Sequence, residues 1–100
     1  MIRHIVWWTL KEEFSGDKAK ETLDALLEAA NVLRDLPSVK SFAMSASIEA
    51  STTVPCQLIL TTTHDSMARL DEYQRDPIHV KFAENLKLRV ASRNCVDFEY

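Results

Sequence analysis

Apolar and polar positions alternate along residues 2–10, and this period of two predicts a β-strand. His4, Val6, Trp8 and Leu10 share one face; Arg3, Ile5, Trp7 and Thr9 share the other. Both faces are largely apolar, so the strand is expected to be covered on both sides. A polar turn over residues 11–16 follows, and the period then becomes helical. Leu23, Leu26, Leu27, Ala30 and Leu33 form one stripe across residues 17–35, with Ser15 or Asp17 as the cap. Leu36-Pro37-Ser38 ends this helix, because a residue before proline avoids the helical region.

Residues 39–48 alternate again. Val39, Ser41, Ala43, Ser45 and Ser47 lie on one face, and small side chains there leave room for a neighbouring subunit, a ligand or solvent. After a polar loop at 49–55, the β-branched residues of 56–63 predict a third strand. His64-Asp65-Ser66 then starts a helix over 67–74, with Asp65 or Ser66 as its cap and His64 exposed. Asp76-Pro77 breaks it. Proline suits the first position of a new helix, and Asp76 suits its cap. From there His79, Phe82, Ala83, Leu86 and Val90 follow one face of a helix running to Ala91. His79 on that stripe is either a satisfied core residue or the polar feature of a pocket. Residues 94–100 form the last strand, with Cys95, Asp97 and Glu99 alternating with Val96, Phe98 and Tyr100.

The resulting order is β-α-β-β-α-β with the second helical segment split in two. This is the α+β, ferredoxin-like arrangement: a single domain over residues 1–100, with a four-stranded antiparallel sheet and helices on one face. The other face is too apolar to leave in water, since large apolar patches mark interfaces. A second copy closing over it would give a two-fold homodimer with a barrel between the subunits. Trp7 and Trp8 point to opposite faces, so one is expected in the core and the other at the interface.

Composition narrows the function classes. A net charge of -3 and scattered basic residues argue against nucleic acid as a partner. A single glycine, Gly16, excludes both the P-loop and the dinucleotide fingerprint, and no cofactor is expected. No apolar run approaches the roughly 20 residues of a membrane span. The opening residues read as a strand and not as a signal peptide, which makes the cytoplasm the default location. Cys56 and Cys95 lack C-x-x-C spacing and are expected to be buried thiols. The three histidines lack H-x-x-H spacing, so no histidine-rich metal site is expected, and a carboxylate-bound hard cation has no signature in the sequence.

Three segments carry a family resemblance: the opening I-R-H-I-V-W-W-T-L-K, the middle Y-Q-R-D-P-I-H-V-K-F and the closing V-D-F-E-Y. Together they resemble the stress-responsive dimeric α/β barrel family, Dabb, over essentially the whole chain. The resemblance implies the ferredoxin-like fold and the homodimeric barrel. One plant branch of the family is a polyketide cyclase, in which the tyrosine and second histidine of the middle motif act on substrate. These positions match Tyr73 and His79, while Asp97 matches an aspartate that orients the imidazole and His4 matches a pocket-lining histidine. The chain departs from that branch at Asp76, where the branch has histidine, and at Trp8, where it has a smaller aliphatic residue.

Two functions are consistent with this pattern. In the first, a small homodimeric domain binds an apolar or aromatic ligand between sheet and helices, against His4, Val6, Trp8, Phe82 and Leu86. In the second, a lyase or cyclase uses His79 as general base for proton abstraction alpha to a carbonyl. Asp97 then fixes the imidazole tautomer, and Tyr73 hydrogen-bonds the developing enolate. The same residues forming a buried polar cluster with no ligand is the structural alternative.

Overall fold

The computed structural model describes every residue from Met1 to Tyr100. The alternation of the first strand, β1 (Ile2–Leu10), becomes a strict burial pattern: Ile2, His4, Val6, Trp8 and Leu10 are buried, and the residues between them are half-buried. The other strands are β2 (Ser41–Ala46), β3 (Leu58–His64) and β4 (Val90–Glu99); the helices are α1 (Ala19–Ala29), α2 (Met67–Arg75) and α3 (Pro77–Lys87). The strands form one antiparallel sheet in the order β2-β3-β1-β4. The two ends of the chain therefore lie side by side, and Tyr100 N–H donates to the Met1 carbonyl at 3.0 Å.

One core lies between the sheet and the helices. Val6, Trp8, Leu58 and Leu60 meet Leu26 and Leu33 from the first helical segment, Leu70 and Tyr73 from α2, and Phe82 and Leu86 from α3. Each fully buried leucine contributes about 2 kcal/mol by removal from water. Trp8 fills this core, and Trp7 lies half-buried on the opposite, uncovered face. That face also presents Ile5, Ile59, Val96 and Phe98, the last two 46% and 43% exposed.

Several boundaries differ from the sequence reading. The first helix is shorter than residues 17–35, with 3-10 turns at Gly16–Lys18 and Ala30–Leu33 flanking α1. Neither Ser15 nor Asp17 caps it: no side chain caps α1, and the Ser15 hydroxyl donates instead to the Lys11 carbonyl. β2 is shorter at both ends, because the Val39 N–H turns back to Leu36 and the Ile48 carbonyl closes a turn with Ser51 and Thr52. Ser66 caps α2 through the Arg69 N–H, and Asp76 caps α3 through the Ile78 N–H at 2.9 Å. Each such cap contributes about 1 kcal/mol.

α3 ends at Lys87, four residues before Ala91, because β1 recruits the next segment. Lys11 N–H donates to the Arg89 carbonyl at 2.9 Å, and Val90 pairs with Leu10 beside a bulge. β4 thus begins at Val90, four residues before the expected start. His64, expected to be exposed, is fully buried. It is the last residue of β3, in phase with Leu58, Leu60 and Thr62, and faces the core. The cysteines are not buried thiols: Cys56 is half-buried and Cys95 exposed, the latter because β4 is an edge strand.

Candidate functional site

The β1–β4 register sets His4 directly opposite Asp97, with both side chains on the helix-covered face. His4 Nδ1 lies 2.5 Å from Asp97 Oδ1. A carboxylate only accepts, so Nδ1 carries the hydrogen and Nε2 of the neutral ring keeps its lone pair. The side chain of Cys95, two residues earlier on β4, lies 3.5 Å from the same Nδ1. Partial burial, with Asp97 beside it, raises the Cys95 thiol, the opposite of what a nucleophile requires.

The split helix supplies the next two groups. Tyr73 lies near the end of α2, and His79 lies in the first turn of α3, started by the Asp76 cap. Their ring centres are 4.5 Å apart. His79 Nδ1 donates to the Gln74 carbonyl at 3.2 Å, leaving Nε2 with its lone pair. Burial holds the His79 ring below the ordinary imidazole value. The Gln74 carbonyl opposes this shift, and the charges of His4 and Arg93 add to it. The ring therefore favours its neutral, basic form.

Tyr73 is 0% exposed and its hydroxyl has no hydrogen-bond partner. Leaving such a group unpaired costs about 1–3 kcal/mol. Burial raises its pKa, so it remains a proton donor, with Arg93 acting in the opposite sense. The His64 and His4 ring centres lie 5.1 and 6.2 Å from it. His64 is fully satisfied: Nδ1 donates to the Ser38 carbonyl at 2.6 Å, and Nε2 accepts from the Thr62 hydroxyl at 2.8 Å.

A cavity of about 390 Å³ opens between β1, β4 and α3. His4, Val6 and Trp8 form one wall and His79, Phe82 and Leu86 the other. Its size falls within the usual range for small-molecule sites. A hollow of about 510 Å³ near Leu23, Ser47 and Gln57 is larger but contains no histidine. The smaller cavity is therefore the better chemical candidate.

The fold brings His4, Tyr73, His79 and Asp97 into one region but distributes their contacts differently from the sequence reading. Asp97 binds His4; His79 takes its second-nitrogen partner from its own helix boundary. The sequence reading also missed Arg93 and Lys87, which line the cavity beside His79. Arg93 faces Trp8 across the β1–β4 ladder, in phase with Cys95 and Asp97. Its signal was this period of two, hidden because the strand was started one residue later.

These features define a ferredoxin-like α+β domain with a polar-ended cavity between sheet and helices. The sequence matches the stress responsive A/B barrel domain, Dabb, over residues 2–100, and the chain belongs to that family. A Dabb protein with a ferredoxin-like fold from Mesorhizobium loti is similar at 23% identity and a TM-score of 0.80, covering 99% of this chain and 95% of its own. A dimeric protein of unknown function from Bacteroides fragilis has 21% identity and a TM-score of 0.84, with the same coverages of 99% and 95%. An Arabidopsis thaliana protein is similar at 19% identity and a TM-score of 0.74, covering 100% of this chain and 95% of its own. No curated protein matches the sequence at a significant level. No helix is long and apolar enough to cross a membrane.

Proposed function

We propose that the chain is a homodimeric ligand-binding domain that takes a small apolar or aromatic molecule in the cavity of His4, Val6, Trp8, Phe82 and Leu86. The observation that carries this reading is the cavity itself: apolar walls lined by two histidines, His4 and His79, each of which spends Nδ1 on a hydrogen bond and keeps the lone pair of Nε2. The uncovered sheet face, with Ile5, Trp7 and Val96, supports a second copy as its cover, as does the dimeric state of the Bacteroides fragilis protein. Sedimentation of wild type and Val96→Glu tests the dimer. A wild type that sediments as a monomer at micromolar concentration sinks it.

The polar end of the cavity favours a second reading, a lyase or cyclase acting alpha to a carbonyl. His79 in its neutral form is the general base and the Tyr73 hydroxyl supports the enolate oxygen. Asp97 acts on this site through His4, whose tautomer it sets. NMR of the three imidazole rings, assigned by single His→Gln variants, tests both readings. Small carbonyl or aromatic compounds are expected to shift the His79 and His4 rings and leave His64 unmoved. No response from either cavity ring would remove the ligand reading and the enzyme reading together.

A further inference from the structure

We propose that the cavity selects ligands bearing a carboxylate, held by Arg93 and Lys87, with the apolar body of the ligand against Trp8, Phe82 and Leu86. This inference rests on the ligand-binding reading above and adds the chemical class of its occupant.

The charge balance of the cavity carries the argument. Its lining includes two cations, Arg93 and Lys87, and neither forms an ion pair within the protein. No carboxylate lines the cavity, and Asp97, on the same face of β4 as Arg93, is hydrogen-bonded to His4. Two cations with no carboxylate in the lining leave an excess positive charge in a chain whose net charge is -3. Arg93 lines the cavity from β4, opposite Trp8, and its charge reaches His79, Tyr73 and Cys95. An arginine with no ion-pair partner beside apolar walls suits a planar carboxylate, which it can grip through two parallel hydrogen bonds. Lys87, on the last turn of α3, adds a point charge from the opposite wall.

The remaining polar groups complete the recognition. His79 is held neutral, so it neither competes with the cations nor repels them strongly. The Tyr73 hydroxyl, buried and unpartnered, lies behind the His79 ring and outside the cavity lining, so it sets no charge against a carboxylate. An aromatic or aliphatic acid therefore matches the cavity better than a neutral molecule of the same shape. A cationic ligand would meet Arg93 without compensation.

Calorimetric titration with 2-naphthoate and its neutral counterpart 2-naphthamide tests this at pH 7.5, where the acid is ionised. Wild type is expected to bind naphthoate on the order of tenfold more tightly than the amide, with a preference that shrinks at high salt. Arg93→Gln is expected to remove most of this preference while leaving amide binding unchanged, and Lys87→Gln to remove a smaller part. Both residues are exposed, so neither change is expected to unfold the protein, which circular dichroism verifies. Equal binding of both probes to wild type overturns the carboxylate inference and leaves the ligand-binding reading standing. A preference that survives Arg93→Gln and Lys87→Gln combined, or equal loss of both probes in Arg93→Gln, also overturns it. Binding of neither probe removes the pocket reading, and the inference with it.

Discussion

His64 and His79 sit on the same tyrosine, with ring centres 5.1 and 4.5 Å from that of Tyr73, yet they are chemically unlike. Burial pushes both below the ordinary imidazole value. The difference lies in how their nitrogens are spent. His64 uses both, on a carbonyl from the segment before β2 and on a hydroxyl of its own strand. His79, which lines the cavity, uses one, on the Gln74 carbonyl in the last turn of α2, and keeps the other unpartnered. A depressed pKa alone does not separate a structural histidine from an available one; completion of its hydrogen bonds does.

The largest expected effect comes from breaking the satisfied partner. His64→Ala deletes two hydrogen bonds, strands the Ser38 carbonyl and Thr62 hydroxyl, and opens a void. It is expected to destabilise the fold by about 3 kcal/mol in urea denaturation. A loss below about 1 kcal/mol would contradict the structural role.

The pH dependence of stability comes next. Because both rings have folded-state values below 6.5, the unfolded chain binds protons more readily than the native one. Their contribution to stability is complete above pH 6.5 and is lost as pH falls below it through the folded-state values. Denaturation midpoints measured from pH 8 to about pH 5 are expected to decline through that window. His79→Gln should make the decline shallower. An identical slope in that variant would show that His79 titrates alike in both states.

Smaller effects sharpen the comparison. His79→Ala is expected to cost no more than about 1 kcal/mol, since the ring is half-buried and makes one long hydrogen bond. It should nevertheless weaken binding of aromatic probes in calorimetry, whereas a loss of stability rivalling that of His64→Ala would mark a structural residue. Tyr73→Phe removes a buried hydroxyl that has no partner, so stability is expected to stay level or rise by up to about 1 kcal/mol. A clear destabilisation would mean that the hydroxyl has a partner in solution.

Much of this architecture is legible along the chain. The alternation of Ile2–Leu10 marks β1 and its buried face, and Asp76-Pro77 marks the cap that starts α3 and presents His79. His64 was within reach as well, because Leu58, Leu60, Thr62 and His64 keep one period of two. The turn-forming Asp65-Ser66 beside it disguised that phase. Arg93 and Lys87 were harder to place, since the end of α3 depends on where β1 captures Val90. Propensity inside α3 does not locate that point; pairing with a strand some eighty residues away does.

The local order of apolar, polar, capping and helix-breaking residues determined by itself which segments became strands and helices, because periodicity and capping are short-range properties. It also placed Tyr73 and His79 together, since they lie six positions apart across one capped break. Only the tertiary structure decided the partner of Asp97. Strands from the two ends of the chain meet in one antiparallel register, His4 opposite Asp97, and that register gives the carboxylate to His4 and leaves His79 to the cavity. The alternation within each strand restricts the register to shifts of two residues, and the packing of the whole sheet chooses among them.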